Sequence, residues 1–297
     1  MERRTGGSYG LFVGLCTLDV LQLVDRLPGP DEKVTARDQL VAAGGPATNA
    51  AVTFAHLGGT ARLLTAVGAH PLGEGVRADL DRAGVTVTDL AAGRTEPPAV
   101  SSVLVTAATG ERAVASTNAR GHRLAPPPDL DARVAACDIV QLDGHHPALA
   151  LATARAARAA GRRTVLDGGS WKPGTEDLLP YIDVAVCSAA FRPPGTGTPD
   201  DTLRFLRSHG VPWTAISHGP RPLLWAGPDD NGTVEVPDAP VVDTLGAGDV
   251  LHGALTHGLA RLPDLTGPAF ATALRGAASL AARSCTSFGT RAWMRDG

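Results

Sequence analysis

The sequence predicts an α/β protein of three layers, with helices on both faces of a mostly parallel central sheet and a small β-sheet lid. Three observations carry this expectation. Short apolar runs alternate with longer stretches of helical periodicity along most of the chain, the pattern of βαβ units around a buried sheet. Two β-rich stretches, after the first strand and around residues 97–118, interrupt that rhythm. The chain has 297 residues, 43% hydrophobic and 19% charged, enough for one large core without disulfide or metal staples. A single domain over residues 1–297 is expected, its lid built from two insertions at about 19–43 and 97–118.

The elements follow in order. "YGLFVGLCTLDVLQLVDRLP" opens with an apolar run over residues 11–18, suited to a buried strand, then turns to spaced apolar residues. "PATNAAVTFAHLGG" reads as a helix that starts near Thr48 or Asn49 and stops at Gly58 and Gly59. "ARLLTAVG" is a second strand and "PLGEGVRADLDRAG" a second helix ending at Gly84. From Val85 to Val114 the pieces are short and β-rich, with a hairpin turn at "ATGER". After the proline-rich "LAPPPDL" the rhythm resumes. "CDIVQLDG", "RTVLDGG", "YIDVAVCS" and "WTAISHG" read as strands, with "PALALATARAARAAG" and "DDTLRFLRSHG" as helices. "FRPPGTGTP" is a loop, and two helices close the chain, over residues 250–261 and 268–283.

Composition excludes several classes of function. A net charge of −3 argues against a nucleic-acid partner, which needs a basic face. The densest basic stretch, "RAARAAGRR", ends an Ala-rich helix and reads as a solvated helix terminus. Cys16, Cys137, Cys187 and Cys285 form no CxxC pair and read as reduced, buried thiols. "MERRTGGSYG" has no apolar segment behind its arginines, and no run is long enough to span a bilayer. The expected location is the cytoplasm, with no membrane partner.

The stretch "PVVDTLGAGDVLHGAL", residues 240–255, carries the chemistry. A strand end, a glycine turn and a helix start follow one another at the edge where open α/β sheets bind ligands. Backbone amides of Gly246, Ala247 and Gly248 would converge at a helix N-terminus and attract an anion. Asp249 has two readings: a helix N-cap worth about 1 kcal/mol, or a base beside a phosphate cradle. The residues alone leave both open. The turn lacks the Gly-Lys-[Ser/Thr] ending of a Walker A loop and the spacing of a dinucleotide fingerprint.

"VVDTLGAGDVLHGAL" resembles the C-terminal signature of the ribokinase (phosphofructokinase-B type) carbohydrate kinases, and "AAGGPATNAAVTFAHLGG" their Gly-Gly and Asn signature. "VGLCTLDVLQLVDRLPGPDEKV" is similar to their first strand and lid, in ketohexokinases and sulfofructose kinases above all, and "ISHGPRPLLW" to a strand and turn near the nucleotide. The resemblance implies a ribokinase-like fold and transfer of phosphate from ATP, with Mg²⁺, to a sugar hydroxyl expected to be primary. It implies Asp249 as base and residues 246–248 as anion hole. Thr244, Ser188, Ser217 and Gly219 would lie along ATP. Asp19, Asp31, Gly44, Gly45 and Asn49 would meet the sugar, as carboxylates and amides suit hydroxyl groups. A homodimer through the lid is also implied.

The departures concern the substrate. Pro46 stands where ketohexokinases have an asparagine, which removes an amide used for fructose. Sulfofructose kinases share Gly-Gly-Pro and a "TVLDG"-like strand but lack the Asn49 equivalent. An Asn-x-x-Glu motif that organises magnesium through water is replaced here by "CSAAF", leaving Mg²⁺ to the phosphates and water. Asn118 and Arg120 have two readings: groups that would reach the substrate from the lid, where an arginine would suit an anionic sugar, or, as the favoured reading for Arg120, an exposed loop arginine. Asp143 ends a strand on the ligand side, and His145 and His146 follow without metal-ligand spacing. Two alternatives stand beside the sugar kinase: a nucleoside kinase of the same fold, and a binding protein that keeps the pockets without catalysis.

Overall fold

The computed structural model describes residues 7–120 and 123–296. The arginines of the N-terminal stretch, at positions 3 and 4, lie outside the described residues.

The predicted first strand is two strands. β1 (Tyr9–Val13) ends before Gly14 and β2 (Thr17–Val24) leaves in a new sheet, because the chain turns where the Leu15 amide donates to the Asp143 carboxylate. β3 (Asp38–Gly44) returns antiparallel to β2. α1 (Pro46–His56), β4 (Thr60–Thr65), α2 (Pro71–Arg82) and β5 (Val85–Asp89) form βαβ units on the main sheet. β6 (Val100–Thr106) and β7 (Arg112–Ser116) make the second excursion.

The rhythm then resumes with α3 (Leu130–Ala135), β8 (Ile139–Leu142), α4 (Pro147–Ala159), β9 (Arg163–Gly168), the short α5 (Thr175–Leu178) and β10 (Val184–Ser188). α6 (Pro199–Ser208) starts with a capping box between Thr198 and Asp201. β11 (Trp213–His218), β12 (Arg221–Ala226) and β13 (Asn231–Val234) follow, and then α7 (Ala247–Leu259) and α8 (Gly267–Ser284).

Among the described residues the main sheet has the order β13-β12-β11-β10-β9-β8-β1-β4-β5. It is parallel from β11 to β5, and β12 and β13 extend one edge antiparallel. Strand side chains alternate between two cores. Phe12 packs with residues of α1, α2, α7 and α8, while Leu11 and Val13 pack with those of α3, α4 and α6. Burial on both faces explains the unbroken apolar runs.

The lid is a separate sheet of order β3-β2-β6-β7, in which β2 and β6 pair in parallel. Its inner face carries Leu21, Val103 and Val105, packed against Leu245 and Phe288 of the C-terminal part.

The cysteines are unpaired, and Cys16, Cys137 and Cys187 are buried; burial pushes the Cys16 thiol up to about 12. The arginines of residues 155–163 are more than a solvated helix end. Arg158, Arg162 and Arg163 donate to the carbonyls of Pro180, Ala135 and Leu259 at 2.6–2.7 Å. Among the described residues no helix is long and apolar enough to cross a membrane.

The approach of α1 to α7 places the site. A side chain on Gly253 would collide with the Ala50 carbonyl oxygen, so glycine is what allows the two helices to touch. Gly253→Ala should therefore cost about 1–3 kcal/mol of stability, read as a lower urea midpoint at unchanged m-value.

Candidate active site

α7 begins with a turn that no side chain caps. Gly246 is the N-cap, with φ 75°, a left-handed conformation natural to glycine. Asp249 is therefore the third residue of the helix and does not cap it, which removes one of its two readings. The turn itself is held by Asp243, whose carboxylate accepts from the Leu245 amide (2.8 Å) and the Gly289 amide (2.9 Å). Ala247 and Gly248 lie in the first helical turn, where amide N–H groups lack helical partners. A methyl group placed on Gly248 would meet nothing within 4 Å, so the space beside it is open.

The two signature regions meet at Asp249. Asn49 Nδ2 donates to Asp249 Oδ2 at 2.8 Å, across 200 residues of sequence. Asn49 Oδ1 is buried with no hydrogen-bond partner. Such an orphan acceptor is costly and suits a hydroxyl donor. Gly45 precedes α1 as its N-cap. Asp19 lies so close to Gly44 that any side chain there would strike its carboxylate. Burial pushes the Asp19 carboxyl up, while hydrogen bonds from Thr17 (2.5 Å) and Ser101, with the Arg291 charge, pull it down.

Burial also pushes the Asp249 carboxyl up, to about 7. The negative Asp167 adds to that rise, and the Asn49 hydrogen bond and His252 oppose it. Asp167, at the end of β9, is itself pushed up by burial against the pull of His252. His252 is buried on α7, with Nδ1 3.5 Å from Asp167 Oδ2. A carboxylate that titrates near neutrality beside uncapped first-turn amides is suited to proton transfer.

Asp143 is placed differently from the ligand-facing residue expected at a strand end. It is 1% exposed. One oxygen accepts from the amides of Leu15 (2.8 Å) and Ala47 (3.2 Å), and the other from the His145 amide (2.9 Å). Burial acts against it, yet the His145 ring and these amides hold its carboxyl well below the usual range. Asp143 is committed to joining β1, α1 and its own loop. Asp31, Asn118 and Arg120 are exposed on loops around the lid, not among the buried groups of the cluster. Asp31 (φ 57°) and Asn118 (φ 49°) both take left-handed turn conformations.

Ser188 and Ser217 pair at the carboxyl ends of β10 and β11. Ser188 Oγ donates to the Gly169 carbonyl at 2.7 Å. Gly219 sits in the exposed turn that follows β11. Thr244 joins the turn to the lid: its hydroxyl accepts from Arg112 at 2.6 Å and donates to the Gly110 carbonyl at 3.4 Å.

Sequence reasoning missed Asp167, His252 and Arg112. Asp167 ends a strand in Leu-Asp-Gly as Asp143 does, which was a usable signal. His252 follows Asp249 by three residues, a spacing that puts both on one side of a helix. Arg112 had no signal beyond its charge.

Comparisons with known proteins give the family and the fold. The description "pfkB family carbohydrate kinase" matches residues 9–296. An ATP-dependent ribose-1-phosphate kinase from Halopiger xanaduensis is 29% identical over 249 residues, covering 80% of each chain. The crystal structure of a candidate ribokinase from Agrobacterium tumefaciens superposes with a TM-score of 0.84 at 29% identity, over 98% of both chains. Arabidopsis thaliana ribokinase, solved with ribose and ATP, gives 0.76 at 21% identity over 96% of this chain and 94% of that one. With the lid, the glycine turn and the Asn49–Asp249 pair in place, this chain belongs to the PfkB family of carbohydrate kinases.

Proposed function

We propose that the protein transfers the γ-phosphoryl group of ATP to a hydroxyl, expected to be primary, of a sugar or sugar derivative held under the lid. The observation that carries this reading is the 2.8 Å contact between Asn49 and Asp249. It sets a residue suited to hydroxyl recognition against a carboxylate suited to accept the hydroxyl proton.

In this reading Asp249 takes the proton as the sugar oxygen bonds to the γ-phosphorus. The bond from that phosphorus to the bridging oxygen breaks, and ADP leaves. First-turn amides around Gly246, Ala247 and Gly248 stabilise charge on the phosphoryl oxygens, which is most of what phosphoryl transfer asks of a protein. Asp19 and the unpartnered Asn49 Oδ1 read sugar hydroxyls. Ser188, Ser217, Gly219 and Thr244 border the nucleotide, and Arg112 brings a lid cation to the same turn. Asn118, Arg120 and Asp31 would meet only a substrate large enough to reach the lid loops.

Among the described residues no three His, Cys, Asp or Glu side chains are grouped to hold a metal. Because residues 187–191 carry no carboxylate, Mg²⁺ would be held by nucleotide phosphates and water, where it neutralises phosphate charge. The printed name of the Halopiger relative, a ribose-1-phosphate kinase, makes phosphorylated pentoses a substrate class to test. A nucleoside substrate is less favoured because residues 19–43 and 97–118 contain no Phe, Trp or Tyr to stack a base. Dependence on ATP fits a cytoplasmic setting.

The outer face of the lid suits a second copy of the chain. Val20, Val41, Ser102 and Ala115 lie side by side across it without a charge, and Val41 is 49% exposed.

Asp249→Asn should fold and bind nucleotide yet lose about 10²–10⁴-fold in kcat, measured as ADP release with ribose, ribose 1-phosphate, fructose and nucleosides; near-normal turnover would remove Asp249 as base. Because the carboxylate form is the active one, kcat/KM should fall about tenfold per pH unit below about 7. Sedimentation should find a wild-type dimer that Val41→Glu converts to monomer, and a wild-type monomer at micromolar concentration would exclude the lid contact.

A further inference from the structure

Both ring nitrogens of His252 face backbone carbonyl oxygens. Nδ1 lies 2.6 Å from the Gly248 oxygen and Nε2 2.9 Å from the Val186 oxygen on β10. A carbonyl oxygen only accepts, and a neutral imidazole has only one N–H. A neutral ring would therefore set a nitrogen lone pair against an oxygen at one of these contacts. A ring carrying two protons satisfies both, and the Asp167 carboxylate 3.5 Å from Nδ1 supplies the counter-charge. Both residues are almost fully buried, His252 at 4% and Asp167 at 5% exposure, and a buried charge persists only when paired.

The first of these carbonyls belongs to the glycine turn. In a trans peptide the C=O and N–H of one plane point in opposite directions. Pinning the Gly248 oxygen thus fixes the direction of the Asp249 N–H in the same plane, which is one of the uncapped first-turn amides.

We propose that His252 is a permanently protonated positioning residue: it clamps the Gly248–Asp249 peptide to β10, so orienting the anion-binding amides, and its charge cancels that of Asp167 beside the base. The proposal rests on the reading of Asp249 as base for its second part only. The groups that face the ring are Asp167 from β9 and Asp249 from α7 itself. Behind Asp167 stand Asp143, His145 and Lys172, and beside Asp249 stand Asn49 and Asp19. The local excess is negative, which favours the cation. The direction of the His252 shift agrees, since burial alone would lower it, yet Asp167 and the two carbonyls raise it.

Removing the ring charge leaves Asp167 uncompensated next to Asp249. His252→Gln should then lower kcat at least about tenfold, change the sugar KM little, and move the acid limb of kcat/KM about one pH unit upward. A merely structural histidine would not move that limb. Neutron diffraction on deuterated wild-type protein near pH 7.5 tests the protonation without any variant, and should place deuterium on both ring nitrogens. A ring with one deuteron, or a folded His252→Gln enzyme with an unmoved acid limb, overturns the proposal. Failure of Asp249 as base shows separately, as retained turnover in Asp249→Asn, and leaves the diffraction result unaffected.

Discussion

The hydrogen bond from Asn49 to Asp249 is the constraint around which this molecule is arranged. It joins the first turns of two helices that lie 200 residues apart in sequence. To form it, α1 and α7 must pack with almost no side chain between them, and the glycine at 253 permits that approach. The sheet supplies the rest of the alignment. β1 leads through Leu15 and Asp143 to the start of α1, and β10 meets α7 at His252. Two motifs with no local connection thereby become one site.

Around that bond lie four buried or half-buried carboxylates, and the protein treats each differently. Asp143 receives amide hydrogen bonds and the ring of His145, and stays ionised. Asp19 is buried against Gly44 with the hydroxyl of Thr17 as partner. Asp167 is set against His252. Asp249 has one amide donor, carries an acidic neighbour, and is pushed up to about 7. Environments that separate the pKa values of similar groups assign their roles. The carboxylate left least compensated is the one placed at the open turn.

The lid adds a second contact to the glycine turn. Its inner face packs on Leu245 and Phe288, and Arg112 reaches the glycine turn through Thr244. Packing on the C-terminal part and contacting the glycine turn are thus properties of one small sheet. A lid that excludes water limits ATP hydrolysis without substrate. In the proposed reading, substrate choice would rest with Asp19, Asn49 and the lid loops, and Pro46 offers no amide side chain at the start of α1.

Much of the molecule was legible in one dimension. Strand and helix alternation predicted the layered sheet, because burial on both faces writes a continuous apolar run. The glycine turn and the Gly44–Asn49 region were readable because few residue types tolerate those backbone and ligand geometries. What the sequence could not say was which polar groups meet. The apolar run of residues 11–18 hid a break, since the Leu15 amide turns toward a carboxylate 128 residues away. Asp143 and Asp167 end their strands in the same three letters, yet one is wrapped in amides and the other faces a histidine. Asp249 as a cap and Asp249 as a base look identical in sequence; only the position of Gly246 at the head of α7 removed the cap, and only folding set Asn49 against the carboxylate. Hydrophobic periodicity is local and survives in the sequence, whereas the charge state of a buried group is set by neighbours that the chain brings together only by folding.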